Sequence, residues 1–571
     1  MGPTPTRTRG SATSAPSSTR PSKPPNTSCS SCTGAPTPPF KASPRVRWRI
    51  SGTRPRPRRC PRERRSPLGV RPRRRQRHGS TYRRELQPPP RGRSRVRHER
   101  PRRSASRPRR RRLGDGLRLP RRELGRHPAR LPRDALLQAP TPGRFVSDEQ
   151  PFAGITVLEF GQFVAVPYGA QLLADGGARV IKIEPLEGEA SRHTGYRWGD
   201  VTRHFLARNR GTHSLPLALR HEKAAAILDA LLAKTDVVLT NLRPGLAAQF
   251  GLDYESLSER HPRIIVGNVT AFGEKGPDAG LAGMDQVVQA HSGLMAMNGG
   301  MRDGRPIAEG SPISDFMCAA LLAYGVASAL YRRTSSGRGG RVDTSLLMSA
   351  LILQNNLLIR VEDQDAETHA TYLDWLAGAR AGGMPYAEQA SHMPSSRVAR
   401  LVSIYYRTFT TKDSAIAIAC PSVGLRRRLM DVVGLEDPAL DPSLPQEERH
   451  ALDTELRDQI EARFASETTD YWEGRLREAG IPVSRVRFPT ELIDNEQAAA
   501  NDLFIHRDHP EAGPFTVLGS ALKLDEGGFA PAPTPAPFRS ETRDILAWAG
   551  LPKDVIEDAV EAGAVAALDP D

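Results

Sequence analysis

The first quarter of the chain has a composition that cannot build a hydrophobic core. Residues 1–145 contain 41 of the 82 lysines and arginines, six acidic residues and 25 of the 50 prolines. Runs such as residues 71–75 combine high charge with proline and lack periodic apolar residues, so burial cannot offset the entropy of the chain. We therefore predict that residues 1–145 are a disordered Arg/Pro-rich tail.

The remainder of the chain has the opposite charge. The 571 residues together carry a formal charge of +18, which divides into +35 for the tail and −17 for residues 146–571. Taken whole, the chain would suggest nucleic acid binding. The tail has few aromatic residues to stack on bases, so we do not expect nucleic acid as a partner. A nucleic-acid-tethered enzyme is the alternative if the tail is translated.

The position of the methionines suggests a different start for the protein. After Met1 the next methionine is Met284, and Val146 begins a short polar leader before the first apolar segment. We hypothesise that residues 1–145 are upstream reading frame and that translation starts at an alternative codon near Val146.

The chain carries no segment that we would assign to secretion or to a membrane. We find no 7–15-residue apolar stretch of a secretory signal and no window near the ~20 apolar residues that cross a bilayer. Cys318 and Cys420 lie alone in apolar segments, as reduced buried thiols do, and we attribute the spacing of Cys29 and Cys32 to chance. We expect a cytoplasmic protein without a membrane partner.

Residues 146–267 alternate between strand and helix signals. Apolar runs at 155–160 and 179–183 flank a helical segment at 167–174, which is a βαβ pattern, and further strands are predicted at 236–240 and 263–267 with a helix at 223–234 between them. This alternation predicts an α/β fold with a large, doubly wound, Rossmann-like parallel sheet.

Several common α/β enzyme classes are excluded by their missing motifs. The first βα turn, residues 160–167, has one glycine where a dinucleotide fingerprint needs three. A phosphate loop, a Gly-x-Ser-x-Gly elbow and a His-Glu-x-x-His helix are also absent from the sequence. We predict no metal site and no permanently bound cofactor.

An ordered set of short motifs resembles the family III CoA-transferases, which include formyl-CoA transferase, carnitine CoA-transferase and α-methylacyl-CoA racemase. Each motif is weak evidence alone, but together, in this order and spacing, they are strong evidence. The resemblance covers residues 152 to about 554. The motifs lie at residues 154–160, 172–185, 209–214, 236–238, 241–245, 250–252, 272–277, 283–293, 312–315 and 337–346.

Asp315 is the candidate catalytic residue. From the sequence alone it begins an apolar helix, where an aspartate is most often a cap or first-turn residue. The resemblance implies that it is the nucleophile, and a helix N-terminus should keep its carboxylate ionised. Glycines 293, 299, 300 and 310 are candidates to present backbone N–H groups to an oxyanion.

The resemblance implies transfer of CoA from an acyl-CoA donor to a carboxylic acid acceptor through an aspartyl anhydride and an aspartyl-CoA thioester. CoA or acyl-CoA is then a substrate. By position, the residues implied in CoA binding are Arg220, Asn241, Leu242, Arg243 and Phe250. From the sequence alone, a solvated arginine, a turn asparagine and a core phenylalanine are equally good interpretations of Arg220, Asn241 and Phe250.

Two departures from the family pattern limit what is implied. Thr212 replaces a lysine, which removes one expected phosphate contact, and Val164 replaces the glutamine of formyl-CoA transferase, so oxalate specificity is not implied. A racemase-type enzyme and a catalytically silent CoA-binding homologue are the alternatives.

The racemase branch places a histidine directly before the aspartate of the Gly-x-Asp segment. Met284 stands there and cannot transfer protons, which disfavours racemisation. We interpret His291 as structural unless its ring lies beside Asp315. Asp285 either orients the site or caps the following helix.

Composition and local patterns beyond residue 360 predict domain boundaries, and the resemblance implies an assembly. Residues 146–361 would form the first part of a large CoA-binding domain, 362–402 a linker, 403–512 a smaller α+β domain, and 513–571 a return to the large domain. Members of the family form interlocked homodimers, which we expect here.

Overall fold

The computed structural model describes residues 150–569, apart from residues 299, 395–400, 442 and 526. The tail predicted at 1–145 lies outside the described residues, as do three of the cysteines. The strands are β1 Thr156–Phe160, β2 Arg179–Glu184, β3 Arg197–Trp198, β4 Val201–Thr202, β5 Thr212–Pro216, β6 Val237–Thr240, β7 Ile265–Thr270, β8 Met301–Arg302, β9 Arg305–Pro306, β10 Gly340–Ser345, β11 Tyr406–Thr410, β12 Ala415–Ala419, β13 Val483–Arg485, β14 Phe504–His509 and β15 Gly513–Leu518.

The α-helices lie between and after these strands. They are α1 Ala165–Asp175, α2 Arg203–Leu206, α3 Ala224–Leu232, α4 Pro244–Gln249, α5 Tyr254–Arg260, α6 Asp285–His291, α7 Leu294–Met297, α8 Ile313–Ser336, α9 Leu346–Ile352, α10 Asn355–Leu358, α11 Glu362–Ala381, α12 Tyr386–Ser391, α13 Val423–Val433, α14 Gln446–Ser466, α15 Thr469–Glu478, α16 Glu496–Ala499, α17 Thr542–Ala549 and α18 Lys553–Glu561.

The largest sheet of the described chain has six strands in the order β10-β7-β6-β1-β2-β5, and every neighbouring pair is parallel. This confirms the predicted α/β class with a parallel sheet. In such a sheet a crossover helix runs antiparallel to its strands, so its N-terminus lies at their carboxyl ends. Helix α1 links β1 to β2 in this way, and α8 precedes β10.

The sheet is covered on both faces because its strands are apolar at consecutive positions. In β1, Val157 belongs to the core cluster that includes α1 and α8, whereas Leu158 belongs to the opposite cluster with α3, α17 and α18. Both side chains are fully buried. Strands buried on both faces are typical of parallel sheets.

Helix α8 corrects one of our expectations. By length and composition it is the one helix among the described residues that could cross a bilayer, so the chain does contain such a window. It packs on α1, β7, β10 and α9, as a core helix of an α/β domain does. The apolar composition of α8 is therefore explained by its packing against the sheet.

The second half of the chain forms a smaller unit and then returns to the sheet. Strands β11, β12 and β13 form an antiparallel sheet that shares a core with α13, α14 and α15. Within the described part of the predicted linker at 362–402, residues 362–381 and 386–391 form helices α11 and α12. The return is fixed by a buried ion pair: Arg210 donates to Asp175 at 2.6 Å and to Leu518 O at 2.8 Å, and Ala532 N donates to Asp175 at 2.9 Å.

Candidate active site

The turn after β1 is held in one conformation by side chains from other strands. Gly161 has no room for a side chain, because a Cβ there would lie 2.6 Å from Glu159 Oε1. Phe163 adopts φ 65°, which is strained for a bulky residue. Asn241 accepts from Gln162 N at 3.2 Å and donates to Gln162 O at 3.1 Å. Hydrogen bonds therefore hold the turn in a backbone conformation that its residues would not favour by themselves.

Buried charges lie beneath this turn. Lys182 Nζ donates to Glu159 Oε1 at 2.8 Å and to Gly161 O at 3.0 Å, and both charged side chains are fully buried. Burial raises the pKa of Glu159 to about 7, against the lowering effect of Lys182. The Lys182 ammonium group is thus bound to the turn and to Glu159.

A second buried group of charges extends the network. Arg192 binds Glu184 through two hydrogen bonds of 2.8 Å, and Ser214 donates to the same carboxylate at 2.7 Å. Glu189 N donates to Glu184 at 2.9 Å, and Phe163 N donates to Glu189 at 3.3 Å. These contacts connect the end of β2 and the middle of β5 to the strained turn.

The N-terminus of α8 is capped by a residue from a different helix. Pro312 offers no side-chain cap, and Asp285 Oδ1 instead accepts from Ser314 N at 2.9 Å and from Asp315 N at 3.4 Å. Asp285 Oδ2 accepts from Gln289 at 2.6 Å. Asp285 therefore orients the start of α8, and it is not the N-cap of its own helix α6, because Met284 holds that position.

Asp315 lies half-buried in the first turn of α8. Its carboxylate has no hydrogen-bond partner within the part of the chain that the structure describes. Burial and the nearby Asp285 carboxylate raise the pKa of Asp315 to about 7, and Arg208 opposes this rise. We expected the helix N-terminus to keep this group ionised; burial and Asp285 act in the opposite direction, because both disfavour the charged form.

Arg208 was not found by the sequence reasoning. It is half-buried, its guanidinium lies 5.7 Å from the centre of the Phe316 ring, and its charge acts on Asp315. Phe316 in turn packs edge-to-face on Tyr168 at 5.0 Å. The available signal was its position directly before the family motif that begins at Asn209.

The predicted CoA contacts lie in two regions of the chain, one after β6 and one after β5. Asn241, Leu242 and Arg243 follow β6, the neighbour of β1, so they lie beside the fixed turn; Asn241 is bonded to it and Arg243 is exposed. Leu242 and Phe250 pack against the core. Arg220 is exposed and follows the edge strand β5. The role of these five residues in CoA binding stays a prediction.

The remaining candidates lie elsewhere. Met284 precedes α6, and His291 ends it, about 9 Å further along the helix axis than Asp285. The His291 ring packs on Phe272 and faces Asp278 at 3.7 Å. Gly293 precedes α7, and Gly299 lies outside the described residues. Gly300 directly precedes β8, and Gly310 lies shortly before α8.

Two cavities lie away from Asp315. One of about 520 Å³ is lined by residues at the amino ends of β2 and β5, including Arg179, Thr212 and Glu541, and one of about 640 Å³ lies in the smaller unit beside Asp437. Thr212, which replaces the lysine of the family pattern, thus lies at the amino ends of the strands. The turn after β1 lies at their carboxyl ends. Within the described residues no group of His, Cys, Asp or Glu could hold a metal ion.

The structure is that of an α/β domain with a parallel sheet and a fixed turn after its first strand. The half-buried carboxylate at the start of a crossover helix is its candidate nucleophile. Residues 152–539 match the model of CoA-transferase family III. The chain therefore belongs to CoA-transferase family III, which confirms the resemblance, and its matched homologues are named CoA-transferases.

Individual relatives agree with this assignment. Acetyl-CoA:oxalate CoA-transferase of Acetobacter aceti is 31% identical over 378 residues, 66% of this chain and 89% of the relative. Cinnamoyl-CoA:phenyllactate CoA-transferase of Clostridium sporogenes is 27% identical over 71% of this chain and 95% of the relative. The crystal structure of Rv3272 from M. tuberculosis superposes with a TM-score of 0.57 at 26% identity, covering 69% of this chain and 99% of that one.

Proposed function

We propose that this chain moves CoA from an acyl-CoA donor to a carboxylic acid acceptor through covalent intermediates on Asp315. The observation that carries the proposal is the Asp315 carboxylate, which is half-buried at the start of α8 and has no hydrogen-bond partner among the described residues. Other buried carboxylates nearby are bound to cations or backbone N–H groups. A carboxylate without such partners is free to attack.

The proposed reaction has four steps. Asp315 Oδ attacks the donor thioester carbonyl, and the C–S bond breaks to give a mixed anhydride and CoA thiolate. The thiolate attacks the Asp315 carbonyl, which releases the donor acid and leaves an aspartyl-CoA thioester. The acceptor carboxylate attacks this thioester and again releases the thiolate. The thiolate then attacks the acceptor's carbonyl, which forms the new acyl-CoA and restores the Asp315 carboxylate.

The raised pKa of Asp315 fits these steps. A carboxylate with a pKa of about 7 is a stronger nucleophile than an ordinary aspartate, because nucleophilicity rises with basicity. The same desolvation keeps water from the anhydride, which would otherwise lose the thioester energy by hydrolysis. Asp285 supports the reaction by fixing the backbone from which Asp315 projects.

We place CoA along the carboxyl ends of β6, β1 and β5. Arg243 and Arg220 are the exposed cations there, and Asn241 and Leu242 border the fixed turn after β1. Phe250 lies one short helix further on and is half-buried. Guanidinium groups suit the phosphates of CoA, and partly buried apolar side chains suit its adenine.

We also propose an interlocked homodimer in the cytoplasm. Support for the assembly comes from apolar groups left uncovered: Tyr324 and Tyr331 on α8 are 73% and 82% exposed, and α11 buries only Ala379. Such exposure is typical of a surface that a partner covers. The free, buried Cys318 and Cys420 suit a reducing compartment.

The test is acyl-CoA:acid exchange by purified protein with a panel of acyl-CoAs, including those of the acids in the names of its relatives. Appearance of the acceptor's CoA ester in wild type but not in Asp315→Ala supports the proposal. Equal exchange by both proteins contradicts it, and racemisation of an α-methylacyl-CoA without exchange would indicate the racemase alternative.

A further inference from the structure

The surroundings of Asp315 present an electrostatic problem for the proposed reaction. The acceptor is an anion, and it must approach to bonding distance of a group beside the carboxylate of Asp285. A second carboxylate within about 4 to 6 Å of an ionised one is strongly disfavoured unless a cation accompanies it. The site therefore needs a positive charge that is not already committed to another residue.

Most buried cationic side chains near the sheet already form ion pairs with carboxylates. Lys182 is bound to Glu159, Arg192 to Glu184, and Arg210 to Asp175, each at 2.8 Å or less. Arg208, in contrast, forms no ion pair within 4.0 Å in the described part of the chain, although it is half-buried. Its charge acts on Asp315, and its plane borders the Phe316 ring at 5.7 Å.

We propose that the Arg208 guanidinium binds the carboxylate of the acceptor acid and holds it beside Asp315. This inference rests on the proposed function. A guanidinium presents parallel N–H donors that match the two oxygens of a carboxylate, and partial burial strengthens such a bond. The neighbouring Phe316 and Tyr168 rings offer an apolar wall to the rest of the acid.

The structural alternative is that Arg208 only packs on Phe316 and stabilises the fold. Kinetics separate the two roles, because a packing residue would not change the dependence of the rate on acceptor concentration alone. Binding of the acceptor predicts a large rise in KM for the acid, with little change in the reaction of Asp315 with acyl-CoA.

The experiment uses an acyl-CoA that modifies wild-type Asp315 and, as acceptor, the same acid carrying an isotopic label. Label exchange into the acyl-CoA then reports acceptor use with a known pair of substrates. Arg208→Gln should raise KM for the labelled acid by about 10- to 100-fold, and Arg208→Lys by a smaller factor, since lysine keeps the charge but lacks the fork. Arg203→Gln is the matched control, because Arg203 is exposed and borders Trp198 instead.

The covalent half-reaction keeps the two proposals distinguishable. Mass spectrometry of each protein with acyl-CoA alone, at pH 9 where Asp315 is ionised in all of them, should show the Asp315 adduct at wild-type rate in both Arg208 variants. No adduct in the wild type would contradict the proposed function. An adduct in all proteins with an unchanged KM in Arg208→Gln would overturn the role of Arg208, and so would loss of the adduct in both variants.

Discussion

Glu159 and Asp315 are both carboxyl groups whose pKa is raised to about 7, and they occupy very different surroundings. Glu159 is fully buried in β1, is bound to Lys182 and supports the turn that follows the strand. Asp315 is half-buried at the start of α8 and has no hydrogen-bond partner in the described chain. A raised pKa alone therefore does not distinguish the two groups; we propose Asp315 as the reactive one because its carboxylate has no partner among the described residues.

The first and largest expected effect separates Asp315 from an ordinary first-turn aspartate. Asp315→Asn should lower CoA transfer at least about 1,000-fold, because an amide cannot form the anhydride. Asp544→Asn is the matched control, since Asp544 lies in the first turn of α17 and is exposed. Equal activity of the two variants would mean that Asp315 only stabilises its helix.

The same variant should alter how stability depends on pH. The pKa of Asp315 is about 7 in the folded chain and 3.8 for an ordinary aspartate, so between these values the folded state binds more protons. Wild type then loses stability relative to Asp315→Asn as pH rises, by at most about 1.4 kcal/mol per pH unit, and the difference levels off about one pH unit above the folded-state pKa. Urea unfolding at pH 5, 6 and 8 measures it.

The second effect tests the structural role of Glu159. Lys182→Met leaves a buried carboxylate without its cation and should lower the free energy of unfolding by about 3–5 kcal/mol. The double variant Glu159→Gln with Lys182→Met should recover much of this loss, because neither charge is then buried. Denaturant unfolding checks both, and no loss in the single variant would contradict the role we give to the pair.

A smaller effect is expected from the turn that the pair supports. Asn241→Ala removes two hydrogen bonds to Gln162, which should cost about 1–2 kcal/mol of stability and raise KM for acyl-CoA roughly tenfold. Steady-state kinetics on the variant measure this. A normal KM would place CoA away from the turn.

The smallest effect concerns the electrostatic influence of Asp285. Asp285→Asn keeps an oxygen for Ser314 N but removes the charge that raises the pKa of Asp315. The rising limb of the pH–rate profile, which reports ionisation of Asp315, should move to lower pH by about half to one unit. An unchanged profile would show that burial alone raises this pKa.

The sequence predicted the sheet better than it predicted the site. Consecutive apolar residues identified β1, β2, β6 and β7 because a strand buried on both faces carries its own signal. Helix α1 begins at Ala165, two residues before the predicted start at Pro167, because a proline within the first helical turn lacks only an N–H that has no intrahelical partner there. Residues 362–402 have weak periodicity and still form two helices.

The environment of Asp315 could not be predicted in the same way. Its position at a helix start is local and was recognised, whereas Asp285 and Arg208 approach it from 30 and 107 residues away. Arg208 belongs to no chemical motif, and its one signal was its position directly before the family motif at Asn209, so it was missed. Local reasoning considered only the helix N-terminus and therefore gave the wrong direction for the pKa of Asp315.

The most direct test of the central claim is to trap the covalent intermediate. Wild-type protein incubated with a reactive acyl-CoA and then with hydroxylamine should give a hydroxamate at Asp315, identified by peptide mass spectrometry, and Asp315→Asn should give none. A hydroxamate on another residue, or transfer of CoA by the wild type with Asp315 unmodified throughout turnover, would contradict a mechanism through Asp315.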